Sequence, residues 1–425
     1  MKPFSISIVI CMIFIFTVNA IAQPISNPTS FALGDAYITK ASGVQALYWN
    51  PAKLGIIKNP FTISLLQSNF SVYNNAFSLA YYNDITGKYL SEDDKKELLD
   101  KIPESGFELN GNFGTFIPCL ALSYKNYAIA FSIIGAGYGN FSKNYFDLLL
   151  NGNEWETVYD FKDNDAEAAL FGEIKLGYGK ELNIEKLKEF FVIKDSIPPI
   201  YAGLNLGILH GYNYAEITNF EGHLYTKDTG FFVDNNIEYR TCAGGNGLRF
   251  DVGLFSQITH NISIGLTVNN IFGFIHWNKD CKSNINRFYA DSIMVSELED
   301  SLFTSIDTSY SINSFTQKIP ISMRLGSSYK YKKIEMYFEY VQGFKNSILT
   351  STQPKFSIGC EYFVHKNIPI RIGFGIGGNE PWHFSYGIAF EKSRFEIGFA
   401  FRYYKAFLPN YSQGVAFSFG SMLKF

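Results

Sequence analysis

A chain of 425 residues is long enough for two soluble domains or one large barrel. It is 47% hydrophobic and 17% aromatic, with 41 Phe and 28 Tyr, and only 18% of its residues are charged. A net charge of −3 gives a nucleic-acid partner no electrostatic support, which excludes that class.

Residues 1–22 read as a secretory signal peptide. Lys2 supplies the positive start, Ile6 to Val18 the apolar run, and Ala20-Ile21-Ala22 the small-x-small cleavage site. The alternative is an uncleaved anchor, for which the apolar run is short. Cys11 lies too early, and Val9-Ile10 is too bulky, for a lipoprotein site. The other cysteines, Cys119, Cys242, Cys281 and Cys360, are scattered without CxxC spacing, so neither zinc nor a redox motif is indicated. Cys242 and Cys281 fall in expected loops and either pair in an oxidising compartment or remain thiols. No later run of about 18 apolar residues follows. The chain is therefore either a soluble exported protein or a membrane barrel.

Residues 30–55 come next, ending in Tyr48-Trp49-Asn50-Pro51-Ala52-Lys53-Leu54-Gly55. Pro51 disfavours helix at Asn50, so a preceding helix stops there. Asn50 then caps a new turn with Pro51 at its first position. Gly55 is placed to close that turn in a left-handed conformation. The expectation is a helix, a kink and a one-turn helix; the plainer reading is a capped turn leading into a strand.

From residue 61 onward, alternation decides between sandwich and barrel. Ile262, Ile264, Leu266 and Val268 alternate with Ser263, Gly265, Thr267 and Asn269. Ile370, Ile372, Phe374 and Ile376 alternate with Arg371, Gly373, Gly375 and Gly377. Phe395, Ile397, Phe399, Phe401 and Tyr403 alternate with Arg394, Glu396, Gly398, Ala400 and Arg402. A lipid-facing strand needs one apolar face and tolerates small or polar residues on the other. So much glycine on that other face suits a crowded lumen or a neighbouring plug. Val415, Phe417, Phe419, Leu423 and terminal Phe425 share one face of the last segment, broken only by Ser421.

Further strands are expected at 127–138, 168–179, 204–214 and 247–255, with a polar excursion at 217–246. Helices are expected at 91–102, begun by capping Ser91, and at 184–191. Working back from Phe425, short turns at 391–394, 365–367, 331–333 and 259–261 alternate with longer loops at 404–413, 378–382, 343–354 and 278–318. Counting gives fourteen or fifteen strands. Bacterial barrels have even numbers, so about fourteen is expected, with one segment in 61–84 counted once too often.

Catalytic and metal-binding patterns are not indicated, nor is a cofactor. Gly135-Ala136-Gly137-Tyr138-Gly139 ends a strand and opens no helix, unlike a phosphate loop. His210, His223, His260, His276, His365 and His383 lack metal-ligand spacing. Glu154, Glu156, Asp160, Asp163 and Asp165 form a solvated acidic loop without the EF-hand pattern. Trp155, Trp277 and Trp382 sit near strand ends and read as interface aromatics or, more sharply, as groove contacts for an apolar ligand.

The order Gly34, Ala36, Ala41, then Trp49-Asn50-Pro51-Ala52, resembles the N-terminal plug of the FadL-like outer-membrane transport family, whose hallmark is an Asn-Pro-Ala triplet. The hairpin segments 248–253, 261–266 and 269–273, and the aromatic C-terminal strand, resemble the same family. Trp49 and Lys53 lean toward its secretion-associated PorV/PorQ-like branch. The resemblance implies an all-β transmembrane antiparallel barrel at 61–425, a plug at 23–60, and a place in the outer membrane of a Gram-negative bacterium. It implies a passive, non-enzymatic transporter of hydrophobic molecules gated by Gly34, Trp49, Asn50, Pro51, Ala52 and Gly55. The alternative is a PorV-like component of a protein secretion system. Phe417, Phe419, Leu423 and Phe425 would be the insertion signal read by the barrel assembly machinery. Implied partners are membrane lipid, a small hydrophobic ligand, or secretion-system proteins. A rim-active lipid hydrolase is a third reading, and needs a serine within reach of a histidine.

Overall fold

The computed structural model describes residues 25–183, 198–228, 230–293, 304–347 and 350–425. The expected leader at 1–22 and helix at 184–191 lie outside the described residues. The strands are, in chain order, β1 (Phe61–Asn74), β2 (Phe107–Tyr124), β3 (Tyr127–Phe141), β4 (Val158–Asp160), β5 (Asp165–Glu181), β6 (Ile200–Lys227) and β7 (Gly230–Cys242). They continue with β8 (Gly244–Gln257), β9 (Ile262–Asn269), β10 (Gly273–Lys279), β11 (Lys282–Ile293), β12 (Thr304–Ser311) and β13 (Phe315–Ile319). The last seven are β14 (Ser322–Tyr331), β15 (Ile334–Gly343), β16 (Lys355–His365), β17 (Ile368–Gly377), β18 (Glu380–Lys392), β19 (Phe395–Tyr404) and β20 (Gly414–Lys424).

Fourteen of these close a ring: β1, β2, β3, β5, β6, β8, β9 and β14 to β20 pair in turn, antiparallel, and β20 returns to β1. Closure leaves no edge, the condition for strands to cross lipid. At the seam the Phe61 N–H donates to the Phe425 carbonyl at 3.2 Å and the Phe425 N–H to that of Phe61 at 2.8 Å. Phe417 stacks beside Phe70 with ring centroids 6.0 Å apart. The period-2 reading holds: in β20, Val415 and Phe417 face outward while Ala416, Ser418, Gly420 and Met422 are buried inside.

Short turns gather at the end where Phe61 meets Phe425, and most long connections at the other. The strict short–long alternation fails once. The expected loop at 378–382 shrinks to Gly378 and Asn379, whose neighbours pair as a tight hairpin. Residues 61–84 contain one strand and the helix Leu79–Ile85, which removes the extra strand. The expected helix at 91–102 forms as Glu92–Lys101, with Ser91 in a capping box with Asp94.

Two expected loops are strands instead. The excursion at 217–246 is the continuation of β6, then β7 and the first residues of β8, and residues 278–318 contain the end of β10, all of β11 and β12, and all but the last residue of β13. These strands stand beyond the ring, in the order β4–β6–β7–β11–β12, with β10 joining β8 to β13. They carry polar residues on both faces, β12 being exposed throughout, so they lack the apolar period that marks a wall strand. Cys242 and Cys281 are joined by a disulfide that ties the end of β7 to the start of β11. Trp277 is not an interface residue. It is fully buried in this outer sheet against Tyr214, and its Nε1–H donates to Gln317 at 3.1 Å.

Candidate functional site

The lumen of the ring is filled by the chain's own residues 25–55, nearly all of them buried. Their path is set by caps and breaks. Asn27 accepts from the Ser30 N–H at 2.6 Å and begins the helix Pro28–Ala32. Gly34 and Asp35 then reverse the chain in the left-handed region, at φ 64° and 74°. Asp35 is uncommon there, though short Asp side chains tolerate it better than most. A short helix, Ala46–Trp49, stops at Asn50, which is extended (φ −156°, ψ 104°) ahead of Pro51. The Asn50 Oδ1 accepts from the Ala52 N–H at 3.0 Å, and the 3-10 turn Pro51–Gly55 follows.

Gly55 corrects one expectation. It does not take the left-handed conformation, being absent from the positive-φ glycines. It is small because a Cβ there would lie 2.9 Å from the Tyr201 ring and 3.1 Å from the Lys180 backbone. Close approach, not backbone freedom, selects glycine here.

The wall answers with small residues of its own. A Cβ at Gly203 or Gly179 would collide with the Pro51 backbone, and one at Gly253 with Asn50. Further round, Gly326 faces Ile38, Gly359 faces Leu33, Gly373 faces Leu33 and Gly34, Gly387 faces Ala32, and Gly420 faces Pro28. The glycine-rich lumen face seen in the alternation is thus the seat of this segment. Gly34, Asn50, Pro51 and Ala52 all meet it. Trp49 is fully buried, edge-on to Tyr37 at 5.4 Å, with the Arg324 guanidinium 5.0 Å from its ring.

Charge then fixes the segment in place. Asp35 pairs with Arg402 and Lys355, each at 2.8 Å, and both cations also reach Glu380. Glu339 of β15 accepts the N–H groups of Tyr37 and Ile38 at 2.9 and 3.0 Å and is held by Arg324 at 2.6 Å. Lys40 pairs with Glu361 at 2.7 Å, which Arg371 also contacts at 2.6 Å. Asn205 donates to the Leu47 carbonyl at 2.6 Å, and Asn50 Nδ2 to that of Leu254 at 3.0 Å. Sequence reasoning missed Asp35, Lys40, Glu339, Glu361, Lys355 and Glu380. A signal existed, because Arg371 and Arg402 stand on the lumen side of the alternation and a charge there needs a partner.

Asp35, Glu380 and His383 bring potential ligand atoms within 4.8 Å of one another. Lys355 and Arg402 already neutralise the two carboxylates, so the cluster is an ion-pair network. Of the other histidines, His210 bonds Asn246 and His276 bonds Thr316. Trp382 packs against Phe374 and Phe407 at the long-loop end, while Trp155 is exposed in a loop.

Lys53 is a different case. It is buried with its ammonium 3.8 Å from the Phe255 ring centroid, and burial, with Lys58 and Lys40 nearby, pulls its pKa down to about 7. A lowered folded-state pKa means that the cost of burying the charge is fully present below about pH 7 and fades toward the unfolded value of 10.5. Lys53→Met is therefore expected to melt several degrees higher in detergent at pH 6, with the gap closing as pH approaches 10. An equal gap at both pH values would refute this.

Between the segment and the long loops lies a cavity of about 120 Å³, whose lining includes Tyr48, Lys175, Arg249, Arg324, Lys355 and Gln353. Among the described residues, the wall carries a wide bulge in β2. Residues 117–120 of β2, including Pro118 and Cys119 (φ 61°), face only Phe131 of β3, and the pairing with β1 shifts at the same level.

Solved structures share this architecture. The toluene transporter TbuX of Ralstonia pickettii is similar with a TM-score of 0.52 at 14% identity, covering 96% of this chain and 100% of that one. The toluene transporter TodX of Pseudomonas putida gives 0.51 at 10% identity, and a Pseudomonas aeruginosa FadL homologue 0.50 at 11%, each covering 96% of this chain and 100% of the other. At such identities the likeness is one of fold. No protein with a curated description matches the sequence. The profile of a family of unknown function (DUF5723) matches residues 55–395, most of the barrel, and the chain belongs to that family.

Proposed function

We propose that this protein is an outer-membrane channel for small hydrophobic molecules, closed in the present conformation by residues 25–55. The observation that carries the reading is the manner of closure. The segment is held by ion pairs and side-chain hydrogen bonds against a glycine-lined wall, contacts separate from the strand pairing that closes the barrel. The fold likeness to TbuX and TodX, described as toluene transporters, supports the cargo class. So does an apolar cluster in the long loops, where Leu98, Ile102, Phe77, Tyr81, Phe107 and Phe146 pack together. The bulge at residues 117–120 is a natural place for a side exit, since irregular backbone facing lipid is costly and is kept where it serves a purpose. In this reading Ala22 precedes the cleavage site, the short turns face the periplasm, and Phe417, Phe419, Leu423 and Phe425 present the last strand to the assembly machinery.

Deleting residues 25–55 tests the gate. In planar bilayers the shortened protein is expected to conduct ions steadily where the whole chain is silent. Equal conductance of the two would end the reading.

A second reading, a PorV-like component of protein secretion, is favoured by the outer sheet, whose last strand β12 pairs on one side with β11. Affinity purification from membranes separates the two, because a secretion component brings partners with it and a channel is recovered alone.

A further inference from the structure

The cavity above the segment is lined mainly by residues with polar or charged side chains. Among the described lining residues, Ile319 and Val341 are the aliphatic ones; the rest are polar, charged or glycine apart from the Tyr48 ring. Four cations reach it: Lys175, Arg249, Arg324 and Lys355. Their partner acids Glu173, Glu339 and Asp35 sit behind them, away from the lining, and are more deeply buried than the cations they hold. Two carboxylates do line the space, and their oxygens are engaged. Asp251 holds Lys175 at 2.6 Å and the Asn270 N–H at 2.9 Å. Glu380 holds Lys355 and accepts the Tyr404 hydroxyl at 3.3 Å.

Donor capacity remains. A guanidinium has five N–H groups and an ammonium three. Arg249 spends its Nε and Nη2 on Glu173, Arg324 its Nη1 on Glu339, and Lys355 two bonds on Asp35 and Glu380. The cavity therefore presents unspent donors on positively charged groups, beside the unpartnered amide oxygen of Asn270. Its volume of about 120 Å³ is that of roughly four waters, enough for an anion of a few heavy atoms.

We infer that this cavity binds a small carboxylate anion through Arg249, Arg324, Lys175 and Lys355, and that the bound anion competes with Asp35 of the lumen segment for Lys355. The anion is a trigger acting on the gate and is distinct from the apolar cargo. The competition rests on the reading of the segment as a gate; the binding site does not. A ligand shifts an equilibrium only by its differential affinity for the two states, and the released state offers the anion Lys355 free of Asp35.

The test uses the whole protein in detergent, at constant ionic strength, with propionate and its uncharged isostere propionamide as probes in titration calorimetry. Propionate is expected to bind saturably at one site and propionamide not to bind. Gln353→Glu, at the exposed cavity mouth, is expected to weaken propionate several-fold without touching the core. Asp35→Asn removes the competitor and is expected to strengthen propionate binding about tenfold. Equal binding of the two probes, no saturable heat, or indifference to both substitutions would overturn the site. Propionate binding unchanged by Asp35→Asn but weakened by Gln353→Glu would overturn the competition alone. Failure of the deletion experiment above, with these results intact, would remove the gate and leave the anion site standing.

Discussion

Gly373→Val is expected to open the pore. A Cβ on residue 373 would overlap the Leu33 carbonyl carbon and the Gly34 nitrogen, and would lie 2.6 Å from the Ala32 carbonyl oxygen. These are backbone atoms, which have no rotamer to move aside. Overpacking a tight core typically costs about 1–3 kcal/mol, and more where backbone must shift. The wall itself loses nothing, because valine favours a strand more than glycine does, and β17 keeps its pairs with β16 and β18. The strain therefore falls on the segment. The measurement is bilayer conductance, with Gly139→Val as the control, since a Cβ there meets only the Phe141 ring at 3.6 Å. Wild-type and control proteins are expected to stay closed and Gly373→Val to conduct. A closed Gly373→Val barrel would show that the segment yields without leaving.

Arg402→Met carries the second large effect. Arg402 is fully buried, donates to Asp35 at 2.8 Å, and lies with its guanidinium carbon 4.1 Å from the Phe31 ring centroid. Its removal leaves Asp35 and Glu380 sharing Lys355. Stripping one partner from a buried pair costs about 3–5 kcal/mol, chiefly because the remaining charge has lost its compensation. Asp35→Asn removes that charge. The double variant is therefore expected to melt higher than Arg402→Met alone, and the cycle gives the coupling directly. Additive losses would mean that Arg402 matters for packing against Phe31 and not for its bond to Asp35.

Much of this architecture was legible in the chain. Alternation found the wall strands because lipid allows one answer on the outer face, and Ile262 to Val268 or Phe395 to Tyr403 obey it without exception. The break at Asn50-Pro51 was legible because proline acts on its immediate neighbour. What escaped was of two kinds. β10 to β13 stand in water, where neither face must be apolar, so residues 278–318 gave no period to read. The holding charges escaped because Asp35 and Lys355 are far apart in sequence, and nothing local says that they meet. Gly55 lies between these cases. It was expected to close its turn in a left-handed conformation, whereas the need for glycine comes from Tyr201 and Lys180 across the lumen.

The seam between β1 and β20 has a consequence for biogenesis. Ser26 offers its carbonyl to Ser418 at 3.3 Å, a contact that spans almost the whole polypeptide. Contacts between distant positions form late and slowly. The ring cannot be sealed until its last strand has been made, yet what it encloses is translated first. Ser418 on the closing strand therefore meets its partner Ser26 only when the leading residues are already inside, so this contact ties completion of the ring to the presence of its contents.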